Sequence, residues 1–166
     1  VKAGVRALGI AESFRDDRST LAGAVVRASR IVDGFGFDTC TVGGIDGTDA
    51  IVSLFDDLGR EDIRYLLVSG IAPAWFNMLD LHAIHQHVER PVISISYEAS
   101  EGLEPALRDA FDGSNLQTRL DIYRRQPARR ELRVNDDTVF VRSVGIDDGA
   151  ATDVVRAFIP EGGRPE

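Results

Sequence analysis

Glu12, Asp46 and Asp49 are the acids whose surroundings in this 166-residue chain suggest chemistry. Glu12 sits in GIAESF, where an apolar run leaves the core and turns polar. Asp46 and Asp49 sit in GGIDGTDA, where two glycines let the backbone turn sharply before a helical pattern begins. Carboxylates at a helix start suit the positive end of the helix dipole and can be purely structural. They are also what a hard cation such as Mg²⁺ takes, bound by one or two carboxylates together with waters and phosphate oxygens. The lysine of a phosphate-binding P-loop does not follow these glycines, which removes that reading.

A second group follows the apolar run YLLV at residues 65–68, which ends in Ser69-Gly70. Open α/β sheets keep their chemistry at the C-terminal ends of such strands. A metal nuclease would place a carboxylate there, and a neutral serine hydroxyl is a poor substitute for clamping a cation. In the loop beyond, Trp75 and Phe76 could stack on a base and Asn77 could hydrogen-bond one. They could equally do no more than cover the sheet end. His82 and His85 share a helix face in LHAIHQHV, but that spacing without a partner carboxylate is weak for zinc. The arginines of RRQPARRELR could meet phosphate, or could form a solvated face that balances the aspartates.

These residues need a frame, and the hydrophobic pattern supplies one. Residues 5–10, 21–28 and 31–42 read as strands whose links are too short for a helical crossover, so they form an antiparallel meander. Ile51, Leu54, Phe55 and Leu58 then outline one face of a helix, with Thr48 as its N-cap and Gly59 as its stop. The strand at 65–68, a helix through Leu81, Ile84 and Val88, and a strand at 91–97 make a parallel half with right-handed crossovers. Helical stretches at 101–111 and 116–125, a hairpin around 135–137 and a helix through Ala151, Val154, Val155 and Phe158 complete the chain. The polar tail IPEGGRPE follows. The expected architecture is an α/β mixed sheet with flanking helices. In the order 3-2-1-4-5 the first strand lies parallel to the strand at 65–68, bringing Glu12 and Ser69 to one sheet edge.

Composition bounds the rest. A 43% hydrophobic and 28% charged chain of this length fits a single soluble domain, residues 1–166. No apolar run approaches the ~18 residues of a membrane span and no basic-then-apolar leader is visible, so no membrane partner is expected. Cys40 is alone, which excludes a disulfide framework and favours the cytoplasm. Only Lys2 among 19 basic residues is a lysine, and Asp outnumbers Glu 18 to 9, as a salt-loving or GC-rich source would give. The net charge of −8 repels nucleic acid at long range, but high salt screens that repulsion.

The run GIAESF, VDGFGF, TVGGIDGTDAI, LLVSGI, WFNMLDL and PVISISY resembles the archaeal domain of unknown function 99, also named endonuclease dU. The resemblance spans residues 5–159, with DGTDA and FNMLDL as its most specific pieces. It implies a ribonuclease H-like fold related to endonuclease V and a metal-dependent endonuclease acting on modified or deaminated nucleotides of a nucleic acid. On that reading Glu12 and Asp49 are catalytic and hold Mg²⁺, with Asp46 beside them. Ser69, Gly70, Trp75, Phe76 and Asn77 would bind the displaced base. Family members carry acids after the first strand and before the glycine that ends LLVSGI, where this chain has Ala11-Glu12 and Ser69-Gly70. Gly43 also stands where many members have an aspartate. The alternative is therefore a non-catalytic nucleic-acid or protein-binding module with a degraded metal site. Members also continue into a further helix carrying a histidine, which this chain is expected to lack.

Overall fold

Three strands, β1 (Arg6–Arg15), β2 (Arg18–Arg27) and β3 (Val32–Thr41), open the computed structural model, which describes residues 1–159. The tail at 160–166 lies outside the described residues. The strands form the expected antiparallel meander, with Ile10 opposite Gly23 and Ala24 opposite Phe35. Alternation puts Leu8, Ile10, Leu21, Val25 and Cys40 on one buried face. Helix α1 (Gly47–Leu58) packs there through Ile51 and Leu54. Gly23 permits that approach: a Cβ on it would lie 2.8 Å from Leu54 Cδ2. Gly59, left-handed at φ 58°, stops the helix as expected. The N-cap position belongs to Asp46 rather than Thr48, whose Oγ1 instead accepts from Asp80 N at 2.9 Å.

Next, β4 (Ile63–Ser69) lies parallel beside β1, with Ile10 opposite Val68. The four-residue turn α2 (Pro73–Phe76) and helix α3 (Leu81–Val88) lead to β5 (Val92–Ser96), parallel to β4. Helices α4 (Glu104–Ala110) and α5 (Gly113–Arg125) precede the hairpin β6 (Arg130–Val134) and β7 (Asp137–Val144). Strand β7 joins β5 antiparallel, so the sheet order is β3-β2-β1-β4-β5-β7-β6. The order 3-2-1-4-5 holds and the hairpin extends it. Helix α6 (Asp148–Phe158), capped by Asp147 accepting from Ala150 N, buries Ala151, Val154 and Val155 against the second face, with Ile93, Ile95, Val139 and Val141.

Two boundaries differ from the sequence reading for local reasons. Strand β1 runs to Arg15 because its outer half pairs with β2 after its pairing with β4 has ended at Ile10. Helix α4 starts only at Glu104, since Gly102 before it has φ 123°. Among the described residues no helix is long and apolar enough to cross a membrane.

The strand ends are unlike. Where β1 and β4 begin, Asp33 accepts from Arg6 Nε at 2.9 Å and Arg27 Nε at 2.7 Å. Arg60 lies 3.3 Å from the other Asp33 oxygen and 2.7 Å from Asp62, which Arg6 also approaches at 3.2 Å. The hydrogen bond from Arg27 leads in holding the Asp33 carboxyl below the usual carboxylate range, against the upward push of its burial. Where β1 and β4 finish, the chain leaves a cleft.

Candidate functional site

The cleft, about 1050 Å³ in volume, opens between the finishing ends of β1, β4 and β5, the inner face of β7, and α5. Glu12, Ser69 and Gly70 stand at one side, and Arg129 and Arg142 at the other. Ser94, Ser96 and Thr138 contribute hydroxyls between them. The expected meeting of Glu12 and Ser69 at one sheet edge is therefore present. Strand alternation refines it. Glu12 follows Ile10 onto the α1 side, whereas Ser69 follows Tyr65 and Leu67 onto the other. Carried one step beyond the Ile10–Val68 pair, where the pairing ends, the same register sets Ala11 on the side of Ser69.

Glu12 is half-buried and accepts a short hydrogen bond from the buried Ser19 hydroxyl. The other two acids stand apart from it in role. Asp46 accepts from Thr41 N at 3.0 Å, Thr41 Oγ1 at 2.9 Å and Asn77 Nδ2 at 2.7 Å, so its carboxylate is occupied in bracing a loop. Burial pushes its carboxyl up, and these hydrogen bonds outweigh that and hold it below the usual range. Asp49 is exposed in the first turn of α1, where it faces the helix dipole. Among the described residues no group of three or more His, Cys, Asp or Glu side chains is gathered so as to hold a metal ion. The three acids expected to hold Mg²⁺ thus stand in different settings. Asp46 is spent on the loop, Asp49 lies outside the cleft lining, and Glu12 alone of the three faces the cleft.

The loop residues divide likewise. Gly70, left-handed at φ 68°, turns the chain out of β4 and donates to Ile95 O at 2.8 Å. Asn77 is fully buried: its Oδ1 accepts from Gly47 N at 2.8 Å, and its amide donates to Thr41 O and Asp46. It ties the start of α1 to the loop and has no face left for a base. Ala74, Trp75 and Phe76 are consecutive left-handed residues at φ 50°, 57° and 58°, a conformation that costs about 1–2 kcal/mol per non-glycine residue. The turn presents Trp75 60% exposed, braced edge-on by Phe76 with ring centroids 5.0 Å apart. The histidines serve locally: His82 meets Arg125 O, His85 meets Arg90 O, and His87 meets Asp56.

Arg119 escaped the sequence reading. It is 2% exposed, lies 3.8 Å over the Phe111 ring, and donates to Gly43 O at 2.5 Å, Gly44 O at 3.0 Å, Phe76 O at 3.1 Å and Asn115 O at 2.9 Å. One guanidinium thus joins the Gly43 loop to the Trp75 turn from α5. The spacing of Leu116, Leu120 and Tyr123 puts position 119 on the same inward stripe, a signal that was available.

Solved structures share this architecture. A protein of unknown function from Archaeoglobus fulgidus matches with a TM-score of 0.84 at 24% identity, covering 96% of this chain and 90% of its own. Endonuclease V from Bacillus subtilis matches at 0.63 and 14%, covering 96% and 73%, so the fold is the ribonuclease H-like fold of endonuclease V. Endonuclease V from Ciona intestinalis, solved with DNA containing an inosine, matches at 0.56 and 9%, covering 93% and 77%. In sequence, the UPF0215 protein of Thermococcus kodakarensis is 29% identical over 175 residues, covering 97% of this chain and 88% of its own. The UPF0215 protein of Pyrobaculum calidifontis is 31% identical over 148 residues, covering 87% and 80%. The family whose model the chain matches, endonuclease dU, supports a function of the nuclease type. The endonuclease dU family model matches residues 3–166, and the chain belongs to that family.

Proposed function

We propose that this protein takes a modified or deaminated nucleotide of a nucleic-acid strand into the cleft and holds it there, as a recognition module on the endonuclease V-like fold. The observation that carries the reading is the make-up of the cleft: it lies at the finishing ends of two neighbouring parallel strands, with arginines and hydroxyls around one of the three candidate acids. A related fold that holds inosine-containing DNA supports a nucleic acid as partner. Trp75, exposed on its turn two residues beyond the cleft-lining Pro73, is the residue to stack on a base; such stacking contributes about 1–3 kcal/mol per base.

A second reading is Mg²⁺-dependent cleavage with Glu12 and Asp49 as ligands. Family membership and the position of Glu12 in the outer half of β1, just beyond its pairing with β4, favour it, and the lack of a gathered group of three such side chains among the described residues weighs against it. Mg²⁺ would supply activation of the attacking water. The test uses labelled strands carrying uracil or inosine, in high salt, with Mg²⁺ or with EDTA. Recognition predicts binding in both conditions, quenching of Trp75 fluorescence, and intact strands. Strand cutting that needs Mg²⁺ and disappears in Glu12→Gln would establish the second reading instead. Failure to bind any strand would overturn both.

A further inference from the structure

We propose that the cleft is a metal-free phosphate site, in which Arg129 and Arg142 hold the phosphate group of a nucleotide. This rests on the reading that a nucleotide enters the cleft, and adds what receives its charge. Seven arginines of this acidic chain are matched to carboxylates: Arg6, Arg27 and Arg60 to Asp33, Arg108 and Arg124 to Glu104, Arg125 to Asp80, Arg130 to Asp148. The hydrogen bonds that fix Arg129 and Arg142 end on neutral oxygens instead. Arg129 donates to Ser96 Oγ at 3.0 Å, to Ser100 O at 3.3 Å and to Glu98 O, and Arg142 donates to Pro127 O at 2.6 Å. Such bonds orient a guanidinium without cancelling its charge.

Both heads are also braced by rings. Arg129 lies 4.1 Å over Phe140, and Arg142 lies 5.8 Å from the Tyr123 centroid. Burial pulls the Arg142 guanidinium below its ordinary range, and the neighbouring charge of Arg129 adds to that effect. Two like charges kept close in a part-buried cleft repel, and an anion between them removes that penalty. Arginine suits the task because its planar fork of five N–H donors matches phosphate oxygens. The Ser96 hydroxyl, already accepting from Arg129, keeps its own proton to donate to a phosphate oxygen. Glu12 and Asp137 line the same cleft and oppose an anion. In a cation-bridged site Glu12 would instead promote phosphate binding, and this difference in sign makes the proposal testable.

The shared chemistry is a nucleotide phosphate, from a free monophosphate or from a strand. The experiment titrates the full chain, in EDTA, with inosine, inosine 5′-monophosphate, deoxyuridine 5′-monophosphate and a short inosine-containing oligonucleotide. Phosphate-bearing ligands should bind at least about tenfold tighter than the nucleoside, the size expected for charged hydrogen bonds. Arg129→Gln should lose on the order of tenfold in affinity, and Arg142→Lys, which keeps the charge but not the fork, a few-fold. Glu12→Gln should tighten binding. Comparable affinity for monophosphate and oligonucleotide identifies the free nucleotide as source, whereas binding confined to the oligonucleotide, and weakened in the arginine variants, identifies the strand. The proposal is overturned if EDTA abolishes binding, if Glu12→Gln weakens it, or if folded Arg129→Gln and Arg142→Lys proteins bind as the parent does. Thr138→Trp, at an exposed position of β7 on the same face as Phe140 and Arg142, fills the mouth of the cleft and separates this failure from that of the underlying reading. Oligonucleotide binding that survives Thr138→Trp removes the cleft itself. Binding lost in Thr138→Trp but kept in the arginine variants removes only the phosphate assignment.

Discussion

Removing the Arg119 guanidinium would leave the carbonyls of Gly43, Gly44 and Phe76 without their donor at a buried position. Each orphaned group costs about 1–3 kcal/mol, so Arg119→Leu should destabilise the protein by about 3 kcal/mol or more. Arg119→Lys should recover only part, since an ammonium cannot span carbonyls on two loops at once. Chemical denaturation gives the stability, and emission from Trp75, the one tryptophan of the chain, reports the loop directly. The charge of Arg119 made it look like a surface residue in sequence, although its helical register pointed inward. Arg142 gives no such signal in sequence, and Arg129, one of the RRQPARRELR arginines that could meet phosphate, is brought to the same cleft only by the fold. Glu12 was legible because a strand end is where a polar residue interrupts an apolar run. Asp46 was legible as a polar cluster, but one of its two partners, Asn77, is remote in sequence. Register also sets what would build a cation site here. The register of β1 and β4, carried one step on, sets Ala11 on the side of Ser69, so Ala11→Asp with Ser69→Asp places two carboxylates about 5 Å apart. Their repulsion is about 3 kcal/mol before salt screening. The double variant should therefore melt below the parent in EDTA and gain more from Mg²⁺ than Ser69→Asp alone, as paired melting curves would record.

The Ala74–Phe76 turn sets the limits of the loop as an element. Asparagine tolerates the left-handed region better than tryptophan does. Trp75→Asn should hold or raise the melting temperature, by about 1–3 °C if most of the strain is relieved, because the indole is largely exposed and little packing is lost. The same change should weaken strand binding by on the order of tenfold if the ring stacks on a base. A variant that is more stable and a poorer binder would show strain maintained for function. At this scale the sequence was most readable where one mechanism acted alone. Short links dictated the meander, and Ile51, Leu54 and Leu58 dictated α1. The turn itself was unreadable, because PAWF carries no glycine to announce a left-handed backbone. What holds it there is remote: Gly43 N donates to Ala74 O at 2.7 Å, and Arg119 meets Phe76 O.

Across the whole molecule, the carboxyls of Asp33, Asp62 and Glu104 lie below their ordinary range, the first held chiefly by Arg27, the second by Arg60 and the third by Arg124. A lowered folded pKa means stability that is fully present above the unfolded value near ~3.9–4.3 and lost as pH falls through the folded value. Thermal melts between pH 7 and pH 2 should thus stay level down to about pH 4 and then drop steeply. Asp33→Asn should start lower at pH 7 and fall less on acidification, and an equally steep fall would remove Asp33 from this role. The order of the sheet was largely legible because right-handed crossovers leave few choices. The position of β7 between β5 and β6 was not, since a hairpin can add to either side of an edge. The ion cluster of Asp33 and Asp62 stands where β1 and β4 begin, and the cleft where they finish. Anchoring and chemistry occupy opposite ends of the same two strands, so the cleft end is free to drift. Acids there can give way to Ala11 or Ser69 and new cations can arrive on β7, while the fold is still welded at the far end, which leaves room for one scaffold to trade one occupation for another without ever passing through an unfolded ancestor.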